Sequence, residues 1–164
     1  MTCSRDDDGA MSAEELVRPI HILLIEDSPV DAKLMVMLFQ KLKTPCDVSV
    51  VRDGEAAIAF LKRQEAYQNS PTPKLILLDL NLPKKSGLEV LAEIRADPEL
   101  RMVPVIVMSA SESPDDCRRC YENLANSYLV KPASIRELEQ IMKALEGFWL
   151  QCALLPVAPR DISF

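Results

Sequence analysis

Five short runs of mostly continuous apolar character constrain this chain more than any other feature. They are HILLI (21–25), VSVV (48–51), LILL (75–78), VIVM (105–108) and YLV (128–130). A strand with one wet face alternates apolar and polar residues, whereas a strand covered on both faces is apolar almost throughout. The runs therefore predict strands buried between two layers. The stretches between them carry helix start signals: S-x-x-[DE] occurs at Ser28/Asp31, Ser86/Glu89, Ser113/Asp116 and Ser134/Glu137. In such a box the serine oxygen accepts from an orphan amide of the first turn and the acid reaches back to the cap's own N–H. Pro29 and Pro114 fall where a helix does not need an N–H. A further helix is expected to start at Asp53, with Glu55 near its positive end. In the last helix Ile135, Leu138, Ile141, Met142, Leu145 and Trp149 form one stripe. Strand and helix thus alternate five times, which predicts an open, doubly wound α/β sheet with right-handed crossovers.

Composition removes several classes of function. At 164 residues and 48% hydrophobic, the chain can bury one domain's core. No apolar run approaches the roughly 18 residues of a membrane span. The opening MTCSRDDDGAMSAEEL has no apolar stretch and does not read as a secretory signal, so a cytoplasmic chain is expected. With 19 Lys+Arg against 25 Asp+Glu, the net charge of −6 offers no basic face for nucleic acid. Five scattered cysteines read as reduced thiols. Cys117 and Cys120 form C-x-x-C, but inside a helix already begun at Pro114, so they read as a helix-face pair and not as a redox or zinc site. Residues 1–18 read as a solvated acidic arm, 19–150 as the domain and 151–164 as an apolar tail. The segment 65–74 (EAYQNSPTPK) reads as a flexible polar loop. His21 is expected to pack at the sheet, Met35, Met37 and Leu38 to face the core, and Lys84 and Lys85 to be solvated.

An open parallel sheet binds ligands outside the carboxyl ends of its strands. There the runs end in Glu26-Asp27, in Asp79, in Ser109 and in Lys131-Pro132. Each acid alone could be a turn cap; together they need a compensating charge. Two carboxylates about 4 Å apart repel by about 4 kcal/mol at an effective dielectric of 20. Oxygen ligands with room for water and a phosphate oxygen suit Mg²⁺ better than Zn²⁺. Around Mg²⁺, an Asp79 carboxylate can attack phosphorus and become an acyl phosphate. Ser109 and Lys131 could then each bind a phosphoryl oxygen.

At these residues the chain resembles the receiver domain of bacterial two-component response regulators. The matching motifs are LLIEDSP at Glu26-Asp27, LILLDLNLPKKSG at Asp79, VIVMSAS at Ser109 and SYLVKP at Lys131, across about residues 20–148. The resemblance implies a flavodoxin-like (βα)5 sheet of strand order 2-1-3-4-5, with Asp79 phosphorylated by a partner histidine kinase. It implies a metal pocket of Glu26, Asp27 and Asp79 joined by the Asn81 backbone carbonyl, a turn at Pro83 and Gly87, and a switch pairing Ser109 with Tyr128. It also implies a cis Lys131–Pro132 bond, and dephosphorylation tuned at Asn81 and Ser111, neither of which is an acid or strong base. The polar loop before the third strand, the LNLPKKSG turn and the FWL end resemble single-domain, phytochrome-associated regulators, whose kinase would be a light-sensing bacteriophytochrome. The chain is then a phosphoacceptor with slow self-dephosphorylation and not a turnover enzyme, its output passing through protein contact or relay of the phosphoryl group.

Phe148-Trp149-Leu150 and the ALLPV stretch (153–157) stay apolar beyond the last helix, predicting a homodimer through that helix and tail. Three rival readings remain. A small aspartate-nucleophile phosphatase would want an acid where Asn81 stands. An FMN carrier would have its phosphate repelled by Glu26 and Asp27. A degenerate receiver would not need the complete acid set.

Overall fold

A computed structural model describes residues 19–157 and 159. The expected acidic arm and the end of the tail lie outside these residues. The elements are β1 (Ile20–Ile25), α1 (Pro29–Gln40), β2 (Cys46–Val51), α2 (Gly54–Leu61), β3 (Leu75–Leu78), α3 (Gly87–Ala96), β4 (Val105–Ser109), α4 (Pro114–Glu122), β5 (Ser127–Val130) and α5 (Ile135–Leu145). All strand pairs are parallel and the order is β2-β1-β3-β4-β5.

The two-residue period of the strands sorts their side chains into two cores. Leu23, Ile25, Ile76, Leu78, Val105 and Val107 meet α2, α3 and α4 on one face. Ile22, Leu24, Leu75, Leu77, Ile106 and Met108 meet α1 and α5 on the other. β1, β3 and β4 are therefore buried from both sides, as their unbroken apolar runs require. The two edge strands are not: Val50 of β2 is 37% and Val130 of β5 is 38% exposed, because each has a neighbour on one side only. Met37 is exposed where a core position was expected, because Ala32, Met35, Leu38 and Phe39 define α1's buried stripe and Met37 lies roughly half a turn from Met35. Ile135 is exposed too; it opens α5 at the rim, one turn before Leu138, the first of that stripe to be buried.

All four predicted serine caps accept from the amide three residues on. Only Ser86–Glu89 closes the reciprocal box. At Ser28 the cap's N–H instead donates to Glu26 Oε1 at 3.1 Å, and Asp31 points to Lys131. At Ser113 the cap's N–H donates to Ser111 Oγ, and Asp116 accepts from Ser111. Asp53 caps α2, accepting from Ala56 N at 2.7 Å.

The segment 65–74 is tied back to the domain by several contacts. Glu65–Tyr67 forms one 3₁₀ turn, Tyr67 tilts against Phe60 at 5.5 Å, Ser70 Oγ donates to the Phe60 carbonyl at 2.6 Å, and Arg63 donates to the Ser70 carbonyl and Thr72. His21 packs as expected, stacked on Phe60 with Nε2 3.1 Å from Ser49 Oγ. Beyond α5 the chain continues in wider π-type turns over Glu146–Cys152. Buried Glu146 accepts from Thr44 N at 2.7 Å, and Lys74 Nζ holds the Pro156 carbonyl at 3.3 Å, so the start of the tail is anchored under the sheet.

Candidate functional site

After β1, β3 and β5 the ladder runs one bond past the strand's last residue. Glu26 N donates to the Val51 carbonyl, Asp79 N to the Ile25 carbonyl and Lys131 N to the Ser109 carbonyl, at 3.0, 3.0 and 2.8 Å. The sheet itself thus sets the backbone of the functional side chains. Glu26, Asp79 and Ser109 are buried, and Asp27 is exposed beside them. One carboxylate oxygen each from Glu26, Asp27 and Asp79 lies within 4.8 Å of the others.

Lys131 Nζ enters this cluster from β5. It lies 2.5 Å from Glu26 Oε2, 2.9 Å from Asp79 Oδ2 and 3.4 Å from Asp31 Oδ2. Burial alone would lower the ammonium's pKa; hydrogen bonds to Glu26 and Asp79 outweigh it and hold the proton more tightly than usual. Burial pushes the Glu26 carboxyl upward, opposed by the hydrogen bonds from Lys131 and the Ser28 amide. Asp31 is a member the sequence reading assigned only to capping.

The loop after β3 is shaped by close approach. Asn81 N donates to Asp79 Oδ1 at 3.1 Å, and Gly87 N to the Leu80 carbonyl at 2.9 Å. A Cβ on Gly87 would stand 2.3 Å from the Asp79 carbonyl oxygen and 2.6 Å from Leu80 Cα, so only glycine fits. Lys84 is solvated as expected and Lys85 is partly covered, and both are ion-paired. Lys84 pairs with Asp53 at 3.3 Å and Lys85 with Glu93, which tie the loop to α2 and α3.

On the β4 side, Ser109 Oγ accepts from Ser111 N at 3.2 Å. Tyr128 packs against the core and donates its hydroxyl to the Ser111 carbonyl at 2.8 Å, so Ser109 and Tyr128 are linked through Ser111. The Lys131–Pro132 bond is trans, against the expected cis form. Trans is the intrinsically favoured isomer by about 0.5–1 kcal/mol, and with it Lys131 already reaches its carboxylates. Cys117 and Cys120 are free thiols on α4; Cys120 is buried and desolvation pushes its pKa up to about 11, unlike a redox-active pair.

The donor set fits a hard divalent cation. An octahedral Mg²⁺ places opposite oxygens about 4.2 Å apart, twice a bond of about 2.1 Å. A cluster already within 4.8 Å needs little closure to reach that. Among the described residues, no helix is long and apolar enough to cross a membrane.

Comparison with known proteins agrees with this geometry. The family described as "Response regulator receiver domain" matches residues 22–143. The response regulator Rcp1 of Synechocystis sp. is 44% identical over 89% of this chain and 99% of its own length. The crystal structure of the phosphorylated cyanobacterial phytochrome response regulator RcpA is 44% identical, covers 85% of this chain and all of its own, and superposes with a TM-score of 0.82. The Mn²⁺-bound form of Rcp1, 45% identical over 85% of this chain and 100% of its own, gives 0.81.

Proposed function

This chain belongs to the response regulator receiver family, and from that premise we propose that Asp79 is its phosphoacceptor. The supporting observation is the approach of Lys131 to Glu26 and Asp79, with three carboxylate oxygens gathered alongside. Glu26, Asp27, Asp79 and the Asn81 backbone carbonyl would hold Mg²⁺. When bound, that ion neutralises charge on the attacking and transferring oxygens. The chain's own groups do the rest. Buried Asp79 presents its carboxylate at a rim shaped by Gly87, Lys131 pairs with a phosphoryl oxygen as a point charge, and Ser109 offers a hydroxyl to another.

Phosphorylation then biases two arrangements of Ser109, Tyr128 and α4, altering the surface shown to partners. The phosphoryl donor is a histidine kinase of the phytochrome class, a reading supported by the phytochrome regulator RcpA. The protein works in the cytoplasm and releases the phosphoryl group slowly by itself, without turnover of external substrates. A phosphatase reading is not favoured, since Asn81 offers no acid two residues after Asp79. A homodimer through α5 and the tail is supported by Phe148 and Leu154, 58% and 98% exposed.

Incubation with Mg²⁺ and acetyl phosphate should add the mass of one phosphoryl group, and chelation or Asp79→Asn should abolish it. Addition that survives Asp79→Asn would refute the assignment. For the dimer, Leu154→Asp should shift sedimentation to the monomer, because that side chain has no fold to disturb; an unchanged dimer removes the tail from the interface.

A further inference from the structure

We infer that Asp116 is a positioning residue for hydrolysis of the phosphoryl group, acting through the Ser111 hydroxyl; this rests on the reading of Asp79 as phosphoacceptor. The sequence offered no acid for this step at Asn81 or Ser111. The fold supplies one. Ser111 Oγ donates to Asp116 Oδ2 at 2.6 Å, a short, charge-assisted bond. The same oxygen accepts from Ser113 N at 3.2 Å. A hydroxyl has one donor and two lone pairs. With its hydrogen committed to Asp116 and one lone pair to Ser113, Ser111 keeps a single lone pair, which can accept from an incoming O–H.

Ser111 N donates to Ser109 Oγ at 3.2 Å, and the Tyr128 hydroxyl clamps the Ser111 carbonyl at 2.8 Å, so Ser111 is fixed beside the rim. Asp116 lines a cleft of about 230 Å³ with Asn81, Ser86, Ser109 and Arg119. Asn81 N lies 3.1 Å from Asp79 Oδ1, so the cleft adjoins the acceptor carboxylate. At about 30 Å³ of liquid volume per molecule, it has room for several waters.

In hydrolysis the water oxygen forms a bond to phosphorus as the bond from phosphorus to the Asp79 oxygen breaks, and the electron pair of that bond stays on the Asp79 carboxylate. One water proton passes to Ser111 Oγ while the Ser111 proton moves to Asp116; the other stays on the departing phosphate. Asp116 later returns its proton to solvent. Replacing its carboxylate by an amide keeps an oxygen that can accept from Ser111 but removes the proton's destination.

The test loads the full-length protein with acetyl phosphate and Mg²⁺, removes the donor, and follows loss of the added mass. Asp116→Asn and Ser111→Ala should load at the wild-type rate yet hold the phosphoryl group about 100-fold longer, the low end of what proton-transfer assistance contributes. The double variant should be no slower than the slower single one, because both act on one relay. Asp116→Glu, which keeps a carboxylate, should stay within a few-fold of wild type; together with Ser111→Ala it carries the test if Asp116→Asn does not fold. A wild-type lifetime in Ser111→Ala, or multiplicative effects in the double variant, would overturn the relay while leaving Asp79 as acceptor. Failure of the wild type to load would overturn both.

Discussion

Lys131→Met tests whether the ammonium is the charge that holds the carboxylate cluster together. Glu26 and Asp79 are both buried, and their nearest oxygens lie within 4.8 Å of each other. At an effective dielectric of 20, two unit charges at 4.8 Å repel by about 3.5 kcal/mol. Lys131 bridges both acids at 2.5 and 2.9 Å. Removing one partner of a buried ion pair typically costs about 3–5 kcal/mol, and the Lys131 side chain is only 18% exposed, so screening discounts this little. Urea unfolding followed by fluorescence of Trp149, which packs against the α1–α5 core, reports the loss. In chelator we expect the variant to be about 3 kcal/mol less stable than wild type. In saturating Mg²⁺ the gap should shrink below about 1 kcal/mol, because the cation replaces the missing charge and no longer competes with an ammonium for the same oxygens. An equal loss in both conditions would refute the reasoning, leaving Lys131 as a packing residue.

Gly87→Ala should destabilise the fold by about 1–3 kcal/mol through overpacking and weaken Mg²⁺ binding in calorimetry, because its Cβ meets the Asp79 carbonyl and Leu80 Cα, both backbone. Leu77→Ala empties a fully buried site in the α1–α5 core and should cost about 2–5 kcal/mol in urea unfolding. Burial lowers the His21 pKa against the pull of Asp47. The unfolded chain therefore takes up that proton first as pH falls. Stability contributed by neutral His21 is present above about pH 6.5 and is lost as pH drops toward the lower folded value. Paired unfolding curves should show this pH-dependent loss in wild type and not in His21→Gln.

Fold and candidate site differ in how much of each the primary structure already carried. The five runs specified the strands to within two residues; for β1, β3 and β4 the reason is that a strand sandwiched between layers is apolar on both sides, while the edge strands β2 and β5 are only partly covered. Serine caps marked four helix starts, because capping joins groups only three residues apart. The placement of Glu26, Asp27, Asp79, Ser109 and Lys131 at strand ends followed from the same runs, while the strand order came from the family likeness. Side-chain partners were another matter. Asp31 and Asp116 look like halves of capping boxes, yet one turns to Lys131, 100 residues away, and the other to Ser111. Glu65–Lys74 reads as polar loop but is fastened by Ser70 and Arg63. Met37 and Ile135 read as core and stand in solvent. Local periodicity and capping are settled within one turn of chain. Which carboxylate meets which hydroxyl or ammonium depends on how sheet and helices stack, and only the packed tertiary structure decides that.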